Sequence, residues 1–172
     1  AGTAWCPAMS DSPLRCEKGH HDWFWAAGGE AGIASLRTLQ DMYYKSVGRN
    51  STLILGLTPD RSGRMPGADV ARCREFGDWI EKTFGGPPLA ETSGAGSELA
   101  LALPAGAKGP VTHILLMEEI RNGEKIREYV VEAALNGGWT PGGGGPCIGH
   151  KRIEDVEPCG AGQFRLRVTR DE

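Results

Sequence analysis

The spacing of apolar residues changes character near residue 85. Before it the period is helical: Leu36, Leu39, Met42, Tyr43 and Val47 follow Ser35, a suitable N-cap, and Gly48 stands where a C′ glycine ends a helix. Thr52-Leu53-Ile54-Leu55-Gly56-Leu57 is a short unbroken apolar run, which predicts a fully buried strand of a parallel sheet. A turn cluster at residues 58–63 separates it from a second helix over Asp69 to Phe84. Val70, Cys73, Phe76, Ile80 and Phe84 share one face of that helix, and Gly85 stops it. Helix, strand, loop, helix is the rhythm of a (β/α) unit. Residues 1–34 carry no such period; they are irregular and aromatic-rich, with Trp5, Trp23, Phe24 and Trp25 among Pro, Gly and His.

Beyond Gly85-Gly86-Pro87-Pro88 the chain reads first as a connection and then as strands. Residues 87–110, rich in Gly, Pro, Ala and Ser, suit a linker. Val111 to Met117 predicts a strand, Asn122-Gly123 a tight turn, and Lys125 to Ala134 an alternating strand with one wetter face. Gly142 to Gly145 reads as a flexible loop. Gln163 to Val168 alternates cleanly, with Phe164, Leu166 and Val168 inward and Arg165 and Arg167 outward. Residues 111–172 therefore predict part of an antiparallel β-sandwich after an α/β segment, 1–86. Neither half has enough elements to close on its own.

Composition narrows the function classes. In 172 residues the formal net charge is −3, which gives no electrostatic reason to expect nucleic acid or an anionic membrane. No apolar run approaches the roughly 18 residues of a membrane span. Glycine, at 26 residues, is in clear excess and has no collagen-like period. The chain opens at Ala1 without Met or a signal-like segment and stops straight after an alternating run. A piece of a longer protein is expected, with a processed N-terminus as the alternative. Cys6, Cys16, Cys73, Cys147 and Cys159 show neither a disulfide framework nor a zinc spacing. Cys6–Cys16 and Cys147–Cys159 are the pairings left open, and Cys73 falls on the apolar helix face.

One stretch is far more specific than any of these patterns. Asp41-Met42-Tyr43-Tyr44-Lys45-Ser46-Val47-Gly48-Arg49-Asn50-Ser51-Thr52-Leu53-Ile54-Leu55-Gly56-Leu57-Thr58-Pro59-Asp60 resembles the signature near the end of the catalytic domain of α-L-fucosidases of glycoside hydrolase family 29. Glu75-Phe76-Gly77, Trp5 to Asp11 and Asp22-Trp23-Phe24-Trp25 fit the same resemblance. Ile148 to Ile153 with Phe164 to Val168 is similar to the accessory domain that follows. The resemblance implies α/β followed by all-β: residues 1–86 as the C-terminal part of a (β/α)8-like barrel, a linker at 87–110, and an incomplete β-sandwich at 111–172. It also implies a retaining glycosidase that needs no cofactor and acts on a fucosylated oligosaccharide or glycoconjugate. Nucleic acid and membrane are not among the expected partners, and a secreted or periplasmic parent is expected.

Retention requires two carboxyl groups about 5–5.5 Å apart, one as nucleophile and one as acid/base. The resemblance places the nucleophile Asp upstream of these residues. Related sequences carry the acid/base Glu in a Trp-x-Pro-Ala-Glu-x-Asp context, and here Met9 occupies that position. A thioether cannot donate a proton, so Asp11 and Glu30 become the candidate acid/base groups; a turn cap and a solvated helix start are their plain alternatives. The better sugar-binding candidates are Trp23 and Trp25, which would face one way in an extended segment and supply flat apolar walls. His20 and His21 can hydrogen-bond sugar hydroxyls, and Arg61 follows the strand's C-terminal end, where barrels place binding loops. Arg15 can orient a carboxylate or lie on the surface, the surface being the better reading, and Lys151, Arg152, Arg165 and Arg167 read as a solvated basic face. No metal site is expected: adjacent His side chains diverge in an extended segment.

Overall fold

The computed structural model describes residues 8–107 and 109–172. Two units emerge: the first runs up to Val47 and resumes at Ser51–Gly86, and the second comprises Gly48–Asn50 and Pro87–Glu172. Trp5 and Cys6 lie outside the described residues.

In the first unit, strand β1 (Ala8–Pro13) and strand β2 (Ser51–Gly56) pair in parallel, Ala8 opposite Ser51 and Pro13 opposite Gly56. Parallel neighbours need a crossover, which helix α1 (Leu36–Lys45) supplies, and helix α2 (Gly67–Phe84) follows β2. The Ser35 N-cap forms as expected: its hydroxyl accepts the Thr38 N–H at 3.2 Å. α1 ends earlier than Gly48 would imply, because Ser46 turns its own hydroxyl onto the Met42 carbonyl at 2.6 Å. Leu39, Tyr43 and Phe76 are buried, and aromatic rings close the helix pair, Phe76 stacking on Trp79 at 5.9 Å and Tyr43 on Phe84 at 5.5 Å. The buried stripe of α2 runs through Asp69 and Phe76, whereas Val70 is exposed.

β1 had no signal in the hydrophobic pattern, because Met9, Ser10, Asp11 and Ser12 are not an apolar run. β2 corrects the expectation of full burial. Leu53 and Leu55 are half-buried, but Thr52 and Ile54 are exposed, as are their β1 partners Met9 and Asp11. The strand pair is covered on one face and open on the other.

The second unit is antiparallel throughout. Strands β3 (Glu98–Ala102), β5 (Ile126–Leu135), β6 (Gly138–Gly145) and β8 (Gln163–Asp171) form one sheet in the order β3-β8-β5-β6. Strands β4 (Val111–Leu116) and β7 (Arg152–Cys159) form another. Tyr129, Val131 and Ala133 of β5 oppose Val168, Leu166 and Phe164 of β8, so the inward sets meet register for register. Val111 and Val156 of the smaller sheet pack against Ala133 and Phe164 of the larger. β3 lies inside the stretch read as linker. β6 includes the glycines read as a loop: a Cβ at Gly144 would meet the Tyr129 carbonyl at 2.7 Å, so glycine lets β6 approach β5.

The outward arginines are paired rather than simply solvated. Arg165 binds Glu132 at 2.7 Å and stacks 4.4 Å over Trp139, and Arg152 is buried against Glu154 at 2.9 Å. The Glu154 carboxylate also accepts the Tyr129 hydroxyl, and burial together with that bond raises the phenol well above its ordinary range. Asn50 holds a turn, accepting the Lys151 N–H at 2.6 Å and donating to the Ile148 carbonyl at 2.9 Å. Its φ of 65° is one an Asn tolerates. Cys16, Cys73, Cys147 and Cys159 are free thiols, so the open Cys147–Cys159 pairing does not form.

Candidate functional site

β1 and β2 end side by side, and the segments leaving those ends carry most of the candidate residues. The segment after β1 holds His20, His21, Trp23, Trp25 and Glu30; the one after β2 holds Thr58 and Arg61. Trp23 folds back onto the end of β2: a Cβ at Gly56 would lie 2.8 Å from its Cζ3, so the indole sits where only glycine leaves room. The His21 ring meets Trp23 edge-on, 5.7 Å between centroids. Trp23 and Phe24 lie in a bend rather than in an extended strand, so simple alternation does not decide where they point. Phe24 is 85% exposed, and Trp25 is half-buried.

His20 is held from two sides. Its Nδ1 lies 2.7 Å from Asp22 Oδ2, and its ring covers Gly32, where a Cβ would fall 2.4 Å from His20 Cγ. A carboxylate can only accept, so Nδ1 is the donor in this contact. His20 and His21 diverge, one to Asp22 and one to Trp23. Among the described residues no group of three His, Cys, Asp or Glu side chains is arranged to hold a metal.

Arg15 departs most from its expected place. It follows Leu14 directly after β1 and is fully buried, with Nη2 on the Asp69 carboxylate at 3.1 and 3.3 Å. Thr58 donates to the same carboxylate at 3.4 Å. The Arg15 carbonyl accepts the Asp22 N–H at 2.9 Å, so main chain and side chain together join three segments at the strand ends. Arg15 Nε and Nη1 have no hydrogen-bond partner among the described residues. Asp69 and Thr58 carried no sequence signal; Gly29 and Gly32, set in an aromatic loop, were the available hint of tight packing.

The candidate carboxyl groups stand in the open. Asp11 shares the bare face of β1 with Met9, which is 67% exposed; alternation puts both on one side, about 6.6 Å apart along the strand. Glu30 lies exposed in the single turn Gly29–Gly32, and neither it nor Asp11 makes a side-chain hydrogen bond among the described residues. Arg61 is exposed at a turn that Asp60 caps, its carboxylate accepting the Ser62 hydroxyl at 2.6 Å and N–H at 2.8 Å. Those bonds, the Ser62 hydroxyl foremost, hold the Asp60 carboxyl below its ordinary value.

Comparison with known proteins gives this arrangement a setting. No family model matches the chain. A Bacteroides thetaiotaomicron structure assigned as an α-L-fucosidase is 47% identical with a TM-score of 0.88, over 97% of this chain and 38% of that one. The chain matches a segment of the glycoside hydrolase family 29 α-L-fucosidases. A Ruminococcus gnavus family 29 fucosidase variant in complex with fucose is 25% identical with a TM-score of 0.75, over 92% of this chain and 37% of that one. A rice protein assigned as α-L-fucosidase 1 is 28% identical over 99% of this chain and 37% of its own length. The chain thus spans well under half of each relative. Its mix of helices and mostly antiparallel sheet corresponds to the C-terminal part of those enzymes.

Proposed function

We propose that this chain is part of a glycoside hydrolase that removes terminal α-L-fucose from fucosylated glycans with retention of configuration. The likeness to the Bacteroides structure, 47% identical along nearly the whole chain, carries this reading. The fucose complex of a more distant relative supports the sugar. In this reading residues 1–86 close a (β/α)8-like barrel, 87–110 connect, and 111–172 belong to a β-sandwich.

The geometry of the first unit supports that assignment. Barrel enzymes keep their chemistry at the C-terminal ends of the strands, and Trp23, His20, His21 and Arg61 all leave β1 and β2 at those ends. The open face shared by Met9, Asp11, Thr52 and Ile54 is the face a barrel turns inward. Trp23, with Trp25 beside it in sequence, offers the sugar's apolar C–H face a flat wall; His20 and His21 take its hydroxyls. The nucleophile comes from an upstream strand. Asp11 takes the acid/base role, since of the two candidate carboxyl groups it is the one on the face where Met9 replaces the expected Glu; Glu30 is the second candidate. Hydrolysis of 4-nitrophenyl α-L-fucopyranoside by the whole protein, and of no other aryl glycoside in a panel, is the expected result. Turnover of a different sugar alone would overturn the substrate assignment.

Met9 favours a second reading, a carbohydrate-binding protein that has lost its acid. Calorimetric fucose binding without turnover of the aryl fucoside would select it.

A further inference from the structure

We propose that the outward face of the larger sheet, from Trp139 to the cavity beside Arg170, is a second carbohydrate-binding site that takes an uncharged glycan chain. The inference rests on the fucoside reading for the class of its ligand, but not for the geometry of the face.

Alternation sorts the residues of this sheet. Tyr129, Val131 and Ala133 of β5 belong to the core, so Val130, Glu132 and Ala134 point the other way. Register sets Trp139 opposite Ala134, Gly144 opposite Val130, and Arg165 and Arg167 of β8 opposite Glu132 and Val130. Trp139 therefore stands on the outward face, where it is 38% exposed. The Arg165 guanidinium lies 4.4 Å from its ring centre and fixes the indole from one side. Four positions back along β5, roughly 13 Å away, lies an open cavity. It measures about 470 Å³ and is lined by Arg127, Glu128, Val130, Gly144, Pro146 and Arg170.

An indole can stack on the C–H face of a sugar ring, and planar guanidinium and carboxylate groups can bind neighbouring hydroxyls. Groups already fixed lose little freedom on binding. The charges decide the class of ligand. Arg165 binds Glu132 at 2.7 Å and faces Glu98 at 3.7 Å, while Arg167 Nε reaches Glu132 at 3.5 Å. Arg127 meets Glu172 at 2.5 Å, and Arg170 donates to the Arg127 carbonyl at 3.2 Å. Arginines set so closely against carboxylates leave no surplus field to draw a polyanion. A protein interface would be built on an apolar centre, whereas the middle of this face is Glu132 between two arginines. An uncharged, hydroxyl-rich chain is the complement of such a surface.

The test is a glycan array carrying neutral glycans without fucose, fucosylated glycans and sulfated glycans, probed with the whole protein. Glycans without fucose do not fill a site that takes terminal fucose, so they report on this face. The wild type should retain neutral unfucosylated oligosaccharides, and free L-fucose should not displace them. Trp139→Ala should weaken that binding about tenfold or more, whereas Trp139→Phe, which keeps a flat ring, should retain most of it. Arg167→Ala should weaken it as well; its side chain is 44% exposed, so this variant serves even where Trp139→Ala fails to fold. The proposal is overturned by failure to bind neutral glycans, by retention of sulfated glycans alone, by displacement with fucose, or by wild-type binding in both variants. Dimerisation that Trp139→Ala abolishes, without glycan binding, would assign the face to a second copy of the chain instead. Absence of aryl α-L-fucoside hydrolysis in the wild type would defeat the fucoside reading alone, leaving the array to decide the role of this face.

Discussion

Glu17 shows how much a single carboxylate can organise. It accepts the Ser35 N–H at 2.8 Å and the Thr38 hydroxyl, which ties the segment after β1 to the start of α1 and pulls its carboxyl down to about 2. A depressed value means stability present above the unfolded carboxylate range of about 4.3 and lost as pH falls towards the folded value. Glu17→Gln should therefore lower the melting temperature at neutral pH, and the difference from wild type should close between about pH 4.5 and pH 2. A constant difference across that range would show the effect to be packing. For the acid/base assignment, Asp11→Asn in the whole protein should cut kcat on a fucoside with a poor leaving group by about 10²–10⁴-fold, and azide should raise its turnover only of an activated aryl fucoside whose leaving group needs no protonation, whereas Glu30→Gln should do neither. The reverse pattern would transfer the role to Glu30. At this scale the sequence announced the aromatic residues and the Ser35 cap, because those signals are local. It hid the burial of Arg15, since the partner that neutralises it is 54 positions away.

The elements divide in the same way. α1 and α2 were legible from their period and caps, and β5 with β8 from alternation, because one face of each looks into the core. β6 was not: Gly142 to Gly145 has the composition of a loop, and only the approach of the Tyr129 carbonyl shows why a strand would be made of glycine. Gly144→Ala should push β6 off β5 and cost about 1–3 kcal/mol, seen as a lower denaturation midpoint. A neutral substitution would mean that β6 moves aside freely. β2 taught the opposite lesson. Its apolar run predicted two covered faces, yet Ile54 is exposed. The outward arginines of β8 were placed correctly by alternation, but their neutralisation by Glu132 depends on cross-strand register that no local pattern supplies.

For the molecule as a whole, the parallel strand pair with its helices and the antiparallel second unit each match a segment of family 29 α-L-fucosidases spanning well under half their length. No helix among the described residues is long and apolar enough to cross a membrane. The stereochemistry of the first-formed product tests the proposed retaining hydrolysis of α-L-fucose most directly. Proton NMR of the whole protein acting on an aryl α-L-fucoside should show α-L-fucose accumulating first, with the β anomer appearing only as mutarotation proceeds. Release of β-L-fucose first would contradict the account.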